Sequence, residues 1–360
     1  MKLLRPISIL ASALMLTASA VAQISVTPPG AETPAVGKPA AKPKAKPPAA
    51  AKKPEAPAAT AKPATPPAAP TATVTAAPPP DDPNVDLVFG AYQRGQYKTA
   101  LELATKRAQE NGDPKAMTML GELYANAMGV KRDYAAAAEW YKRAADAGDR
   151  EGMFALAMLR LSGRGGPVNR EEAVKLLASS AKLGNPKAAY NLALLYLDGQ
   201  TLPQDLKRSA ELLRLAADAG NPEAQYALAT FYKEGTGVEK DLEKAVRLLQ
   251  AASLADNVDA EVEYAIALYN GTGTPKNEPA AVALLRKAAK QNSPIAQNRL
   301  ARVLVSGQGA PMDKIEGLKW HLVAKTAGRG DPLLDEALAE LSPEDRARAE
   351  AAARRWLGGK

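Results

Sequence analysis

Residues Asn221 to Asp256 read NPEAQYALATFYKEGTGVEKDLEKAVRLLQAASLAD, and the same pattern returns up and down the chain. The corner that opens it, Gly220-Asn221-Pro222, has counterparts at Gly112-Asp113-Pro114, Gly148-Asp149-Arg150, Gly184-Asn185-Pro186, Asp256-Asn257-Val258 and Asn292-Ser293-Pro294. The middle residues of these corners, 113, 149, 185, 221, 257 and 293, stand 36 apart each time. A fixed period of this size marks stacked structural repeats, in which one supersecondary unit buries its apolar face only against its neighbours. Six full units run from Asp113 to Gly328.

Within a unit the signals predict two helices. Gly220 suits the left-handed residue that ends a helix, Asn221 the side chain that caps the next one, and Pro222 the first helical position. The capping place is held by Asp113, Asp149, Asn185, Asn221, Asn257 and Ser293. Twenty residues further on, Asp133, Asn169, Asp205, Asp241, Asn277 and Asp313 open the second helix. All twelve are residues whose short polar side chains accept from a helix's first free N–H groups. Between the helices five of the six units carry a glycine, at Gly163, Gly199, Gly235, Gly271 and Gly307, where a tight turn needs positive φ.

Read from Ala224 to Ser253, the unit has the form A-x-x-x-L-A-x-x-Y-x-x-G-x-G-V-x-x-D-x-x-K-A-x-x-L-L-x-x-A-A, with Ser253 at its last position. This resembles the Sel1-like repeat, a relative of the tetratricopeptide repeat with a longer, glycine-bearing loop between its helices. Gly129-Val130-Lys131-Arg132-Asp133 and Gly237-Val238-Glu239-Lys240-Asp241 carry the loop motif, and Glu139-Trp140-Tyr141-Lys142-Arg143-Ala144-Ala145 the second helix. Two units depart from it. Thr201-Leu202-Pro203 lacks the second loop glycine, so altered local geometry is expected there, and Leu268 replaces the tyrosine seen at Tyr196 and Tyr232. The resemblance implies an all-α, right-handed α-solenoid of antiparallel helix pairs, with first helices lining the concave side.

Small residues recur where helices must approach closely: Ala116, Gly152, Ala188, Ala224, Ala260 and Ala296 on the first helix, with Ala144, Ser180, Ala216, Ala252, Ala288 and Ala324 on the second. Leu120, Leu156, Leu192, Leu228 and Leu300, with Tyr264 in the fifth unit, supply the expected buried bulk. A second face of the first helix then remains at i, i+4, i+7 spacing. It carries Phe154, Met158 and Leu161; Tyr190, Leu194 and Leu197; Tyr226, Thr230 and Lys233; and Val262, Ile266 and Tyr269. These side chains either line a groove that accepts an extended peptide or a partner helix, or help to fill the stack.

The flanks differ from the repeats. Residues 1–22 combine a basic start (Lys2, Arg5), an apolar run from Ile7 to Leu16 and small residues at Ala20 and Ala22, the pattern of a secretory signal cut after Ala22. The run falls short of the about 20 residues that span a bilayer, though retention as an N-terminal anchor is the alternative. Residues 23–80 are built from Pro, Ala, Thr and Lys. Such a segment cannot bury enough surface to offset its ordering entropy and is expected to be disordered. Its seven lysines and two glutamates give it +5, and Lys2 and Arg5 add +2, which leaves +1 of the chain's +8 for residues 81–360. The high pI therefore belongs to the tail, and the repeats offer no general basic surface for nucleic acid. The tail reads as a spacer or as an attachment to an anionic cell-envelope polymer. Residues 81–112 read as a tetratricopeptide-like entry hairpin, because the loop Gly95-Gln96-Tyr97 is short. After 113–328 the phase breaks, and residues 329–360 carry helix starts at Asp331-Pro332 and Ser342-Pro343, the last helix presenting Ala349, Ala353, Trp356 and Leu357.

The chemistry-bearing residue types are sparse. The chain has no Cys and one His, which closes disulfides, thiol catalysis and Cys-based metal sites. His321 falls in a packing column with Tyr141 and Leu285. No nucleophile elbow, zincin helix, phosphate loop or dinucleotide fingerprint occurs. Gly163-Arg164-Gly165-Gly166 sits at an interhelix turn of the period. No catalytic, cofactor-binding or metal-binding residue is assigned, and the chain is expected to be a non-enzyme without a cofactor. The resemblance implies a periplasmic or secreted scaffold that binds a partner protein, such as an envelope sensor, with no integral membrane domain after cleavage. A cell-wall-associated structural protein is the alternative. An envelope hydrolase is the remote one, since the β-lactam-active members of the family carry a Cys pair in each repeat.

Overall fold

The computed structural model describes residues 86–358. The expected signal at 1–22 and the expected linker at 23–80 lie outside the described residues. Those described form sixteen helices and no strand. The entry hairpin is α1 (Leu87–Gln93) and α2 (Tyr97–Asn111). The six units follow as pairs: α3 (Pro114–Asn126) with α4 (Tyr134–Asp146), α5 (Arg150–Ser162) with α6 (Arg170–Lys182), and α7 (Pro186–Asp198) with α8 (Leu206–Asp218). Then come α9 (Pro222–Glu234) with α10 (Leu242–Leu254), α11 (Val258–Asn270) with α12 (Glu278–Lys290), and α13 (Pro294–Ser306) with α14 (Lys314–Thr326). Two closing helices end the stack, α15 (Pro332–Ala339) and α16 (Pro343–Gly358). From α1 to α14 each helix packs on the one before and the one after, the arrangement of an α-solenoid, while α15 rests on α13 and α14 and α16 folds back onto α14.

All twelve capping residues do what their side chains predict. Asn221 Oδ1 accepts from the Ala224 N–H at 2.7 Å, and Asp241 Oδ1 from the Lys244 N–H at 2.9 Å. The other ten accept likewise at the starts of their helices. The turn between units runs through positive φ, +83° at Gly220, and the column continues with Asp256 at +59° and Asn292 at +69°. Asn and Asp are the side chains best suited to that region after glycine.

The two small-residue columns are buried throughout, including Gly152 and Ser180. Ser180 Oγ donates to the Arg150 carbonyl at 2.6 Å, so its hydroxyl also ties one unit to itself across the helix pair. The leucine column is buried from Leu120 to Leu300, while Tyr264, its fifth-unit member, is only half-buried. Volume is traded within a pair. Where α4 brings Tyr141 into a column held by Leu177 and Leu213 in the next units, α3 answers with Gly121 in place of Ala157 and Ala193. A Cβ at Gly121 would run into the Tyr141 ring.

The long loop of each unit reaches back. A Cβ at Gly237 would run into the carbonyl of Leu206, the first residue of α8 in the preceding unit, and Gly273 meets Leu242 of α10 in the same way. The third unit has Thr201 in that place. Its loop is held by side chains: Asp198 Oδ1 accepts from the Gln200 N–H at 2.9 Å, and the Gln204 amide donates to the Leu197 carbonyl at 2.9 Å. In the fourth unit the corresponding N–H, of Thr236, donates to the Phe231 carbonyl at 3.0 Å.

At the C-terminal end Trp320 and Trp356 meet edge to face with ring centres 5.0 Å apart. Ala349 and Ala353 are buried beside them, but Leu357, expected on the same packed side, is 40% exposed.

Candidate functional site

The first helices α5, α7, α9 and α11 carry the twelve side chains of the expected strip, and the repeat sets them in register one unit apart. Half-buried, and so reaching the surface, are Phe154, Met158 and Leu161 on α5, then Tyr190, Leu194 and Leu197 on α7. Tyr226 and Lys233 on α9 and Ile266 on α11 are half-buried as well. Three members leave the strip. Thr230 is 6% exposed and Val262 3%, so both are buried in the stack. Tyr269, 8% exposed, sends its hydroxyl to the Gln308 carbonyl at 3.3 Å and its ring against Gly309. It is a seam between the fifth and sixth units, because the next loop folds over it.

Tyr190 and Tyr226 have a particular environment. Neither hydroxyl has a hydrogen-bond partner among the described residues. Burial, reinforced by Glu223 of the next unit, pushes the Tyr190 phenol up to about 12. Burial and then Glu263, Asp259 and Glu234 raise that of Tyr226 further. Both rings therefore stay protonated and present an O–H donor from an apolar wall. Lys233 closes the adjacent gap by bridging to Glu263 of the next unit at 3.0 Å.

Sequence reasoning missed the polar end of this face. In the sixth unit Asn298 and Arg302 occupy the columns of Val262 and Ile266, and Arg299 lies between them. The signal was available, since adding 36 to Val262 and Ile266 lands on Asn298 and Arg302.

Elsewhere the described residues bring together little that could do covalent chemistry. No three His, Cys, Asp or Glu side chains among them converge as metal ligands would. His321 is fully buried, with Nε2 2.8 Å from Asp335 Oδ1, an oxygen that Lys325 Nζ also approaches to 2.7 Å. The ring joins α14 to α15. No helix among the described residues is long and apolar enough to cross a membrane.

The model of the Sel1 repeat matches six times in succession, at residues 114–149, 150–185, 186–221, 222–257, 258–293 and 294–328, more than half of the 360-residue chain. The chain belongs to the Sel1 repeat family. Each match begins at the first residue of a first helix, so the family's unit and the helix pairs above coincide. Among solved structures it is similar to a Sel1 repeat protein from Oxalobacter formigenes, with 26% identity and a TM-score of 0.60 over 67% of this chain and 98% of that one. It is also similar to a protective antigen of uropathogenic Escherichia coli with the same kind of repeat fold, at 26% identity and a TM-score of 0.52, covering 75% of this chain and 67% of that one. No curated protein matches the chain. Sel1 repeats and their tetratricopeptide relatives generally mediate protein–protein interaction, and this Sel1 protein has the helix-pair stack on which that activity rests.

Proposed function

We propose that this chain is a non-enzymatic interaction scaffold of the periplasm, which holds a partner protein, such as an envelope sensor, on its first-helix face along the concave side. The observation that carries the reading is the pair of half-buried tyrosines, Tyr190 and Tyr226, whose hydroxyls have no partner among the described residues. A phenol with an apolar body and a free donor contributes heavily to interfaces, where binding energy concentrates in a few aromatic anchors. Changing both to Ala is expected to weaken partner capture by about 2 kcal/mol or more while helicity and melting temperature stay near the parent. If melting falls first, the rings are core. Unchanged binding by a well-folded variant would falsify the assignment.

The periplasmic placement rests on the signal pattern of Met1 to Ala22. Intact mass of the exported protein should correspond to a chain that starts at Gln23. A membrane-bound species that still starts at Met1 would overturn cleavage in favour of an anchor. A second reading, attachment of the tail to an anionic envelope polymer, rests on the +5 of residues 23–80. It requires retention on purified cell wall that disappears when those residues are deleted.

A further inference from the structure

The first-helix face changes character at α13. Arg302 is committed there: its Nε lies 2.5 Å from Asp331 Oδ2, a carboxylate only 2% exposed. Asp331 also accepts from the Asn298 amide at 3.3 Å and the Leu333 N–H at 3.2 Å. Arg299 has no such arrangement. Its guanidinium is half-buried and, among the described residues, makes no hydrogen bond and no ion pair. The charged groups around it are Arg302, Glu263 and Asp331, of which Asp331 is taken by Arg302 and Glu263 by Lys233. Burial first, then the positive charge of Arg302, holds its pKa below the ordinary value.

A guanidinium keeps its charge at any ordinary pH and carries five N–H donors in one plane. Partly stripped of water and beside a second guanidinium, it sits where an incoming anion forms strong charge-assisted hydrogen bonds. Ile295, four residues earlier on the same helix face, is 38% exposed, and Ile266 of the preceding unit, in the column of Arg302, also reaches the surface. The anion site therefore has an exposed isoleucine one turn away and lies one unit beyond α11, where the strip that carries Tyr190 and Tyr226 ends.

We propose that the partner segment held on this face carries an Asp or Glu side chain, whose carboxylate is taken by Arg299 while apolar neighbours seat on Ile295 and Ile266. This rests on the reading of the face as a protein-binding surface and adds the sign of the charge and its place. A singly charged carboxylate suits the site better than a phosphate group. Among the described residues Arg299 is the one cation there without an ion pair, and the nearby Glu263 carboxylate opposes a second negative charge.

Random peptides displayed on phage and panned against the full chain test it. Selected peptides are expected to carry an acidic residue at a fixed distance from apolar ones. For one such synthetic peptide, Arg299→Gln should weaken binding about tenfold or more without lowering the melting temperature. Replacing the peptide's acid by its amide should cost as much in the parent and nothing further in Arg299→Gln. Peptides that need Tyr190 and Tyr226 but carry no acid, and ignore Arg299→Gln, would overturn this proposal and leave the binding face standing. Peptides insensitive to all three substitutions would overturn both. Inorganic polyphosphate competing at Arg299 with higher affinity than any selected peptide would assign the site to a different class of anion and overturn it as well.

Discussion

At the residue scale, the two glycines that flank α9 in the turns before and after it have the same backbone sign and opposite surroundings. Gly220 has φ +83° with nothing within 4 Å of a Cβ built on it. Gly237 has φ +65° and faces the Leu206 carbonyl. Gly220→Ala should therefore cost only the left-handed backbone, about 1–2 kcal/mol, and Gly220→Asn less, since Asn292 already occupies that column at φ +69°. Gly237→Ala adds a collision with backbone and should cost about 1–3 kcal/mol more. Chemical denaturation of the three variants checks the order; equal costs would mean that the loop does not rest on the preceding unit. The caps and turn glycines were legible in the sequence because their chemistry is local. Burial of Thr230, Val262 and Tyr269 was not, because it is decided by loops and helices 30 or more residues away, as with Tyr269 under Gln308.

At the scale of elements, the least repetitive joint is that of α15 on α13. Burial pushes the Asp331 carboxyl up, but the hydrogen bonds and charge of Arg302, with those of Asn298 and the Leu333 N–H, outweigh it and hold the group below its ordinary 3.8. A depressed carboxylate stabilises the fold fully above its unfolded value, and that contribution is lost as pH falls through the folded one. The joint should therefore loosen below about pH 4, with a loss on the order of 1–3 kcal/mol. In Asp331→Asn, which retains a capping side chain, the melting temperature should be lower at neutral pH and flatter in acid. An unaltered acid dependence would place the acid-sensitive joint elsewhere. Asp331-Pro332 announced the helix start in the sequence; the partnership with Arg302, across a break in the period, could be seen only once the chain was folded.

For the whole molecule, the period makes a prediction that no single helix could. Deleting residues 221–256 would join Gly220 directly to Asn257, two residues that already hold the turn and capping conformations needed at such a junction. Each unit of a solenoid contacts chiefly its neighbours. The shortened chain should therefore keep its helicity per residue and unfold cooperatively at a lower temperature. Removing half a period instead, residues 221–238, should abolish cooperative melting, as circular dichroism would report. If both deletions behave alike, the units are not interchangeable. The fold was legible because six copies average out local accidents. The binding face was legible only in outline, since what distinguishes one unit from the next there, such as Arg299 against Glu263, is what repetition does not specify.

The backward reach of the long loops also gives the stack a direction. Gly129 rests on Tyr97, Gly165 on Tyr134, Gly237 on Leu206 and Gly273 on Leu242, each on a helix start that lies earlier in the chain. A nascent polypeptide leaves the ribosome N-terminus first. Every one of these loops therefore finds its seat already made when it emerges, and a new hairpin can be fastened as it appears without waiting for later sequence. Thr201 takes the place of the clasping glycine once, at the third unit, where side chains of the loop itself hold its shape.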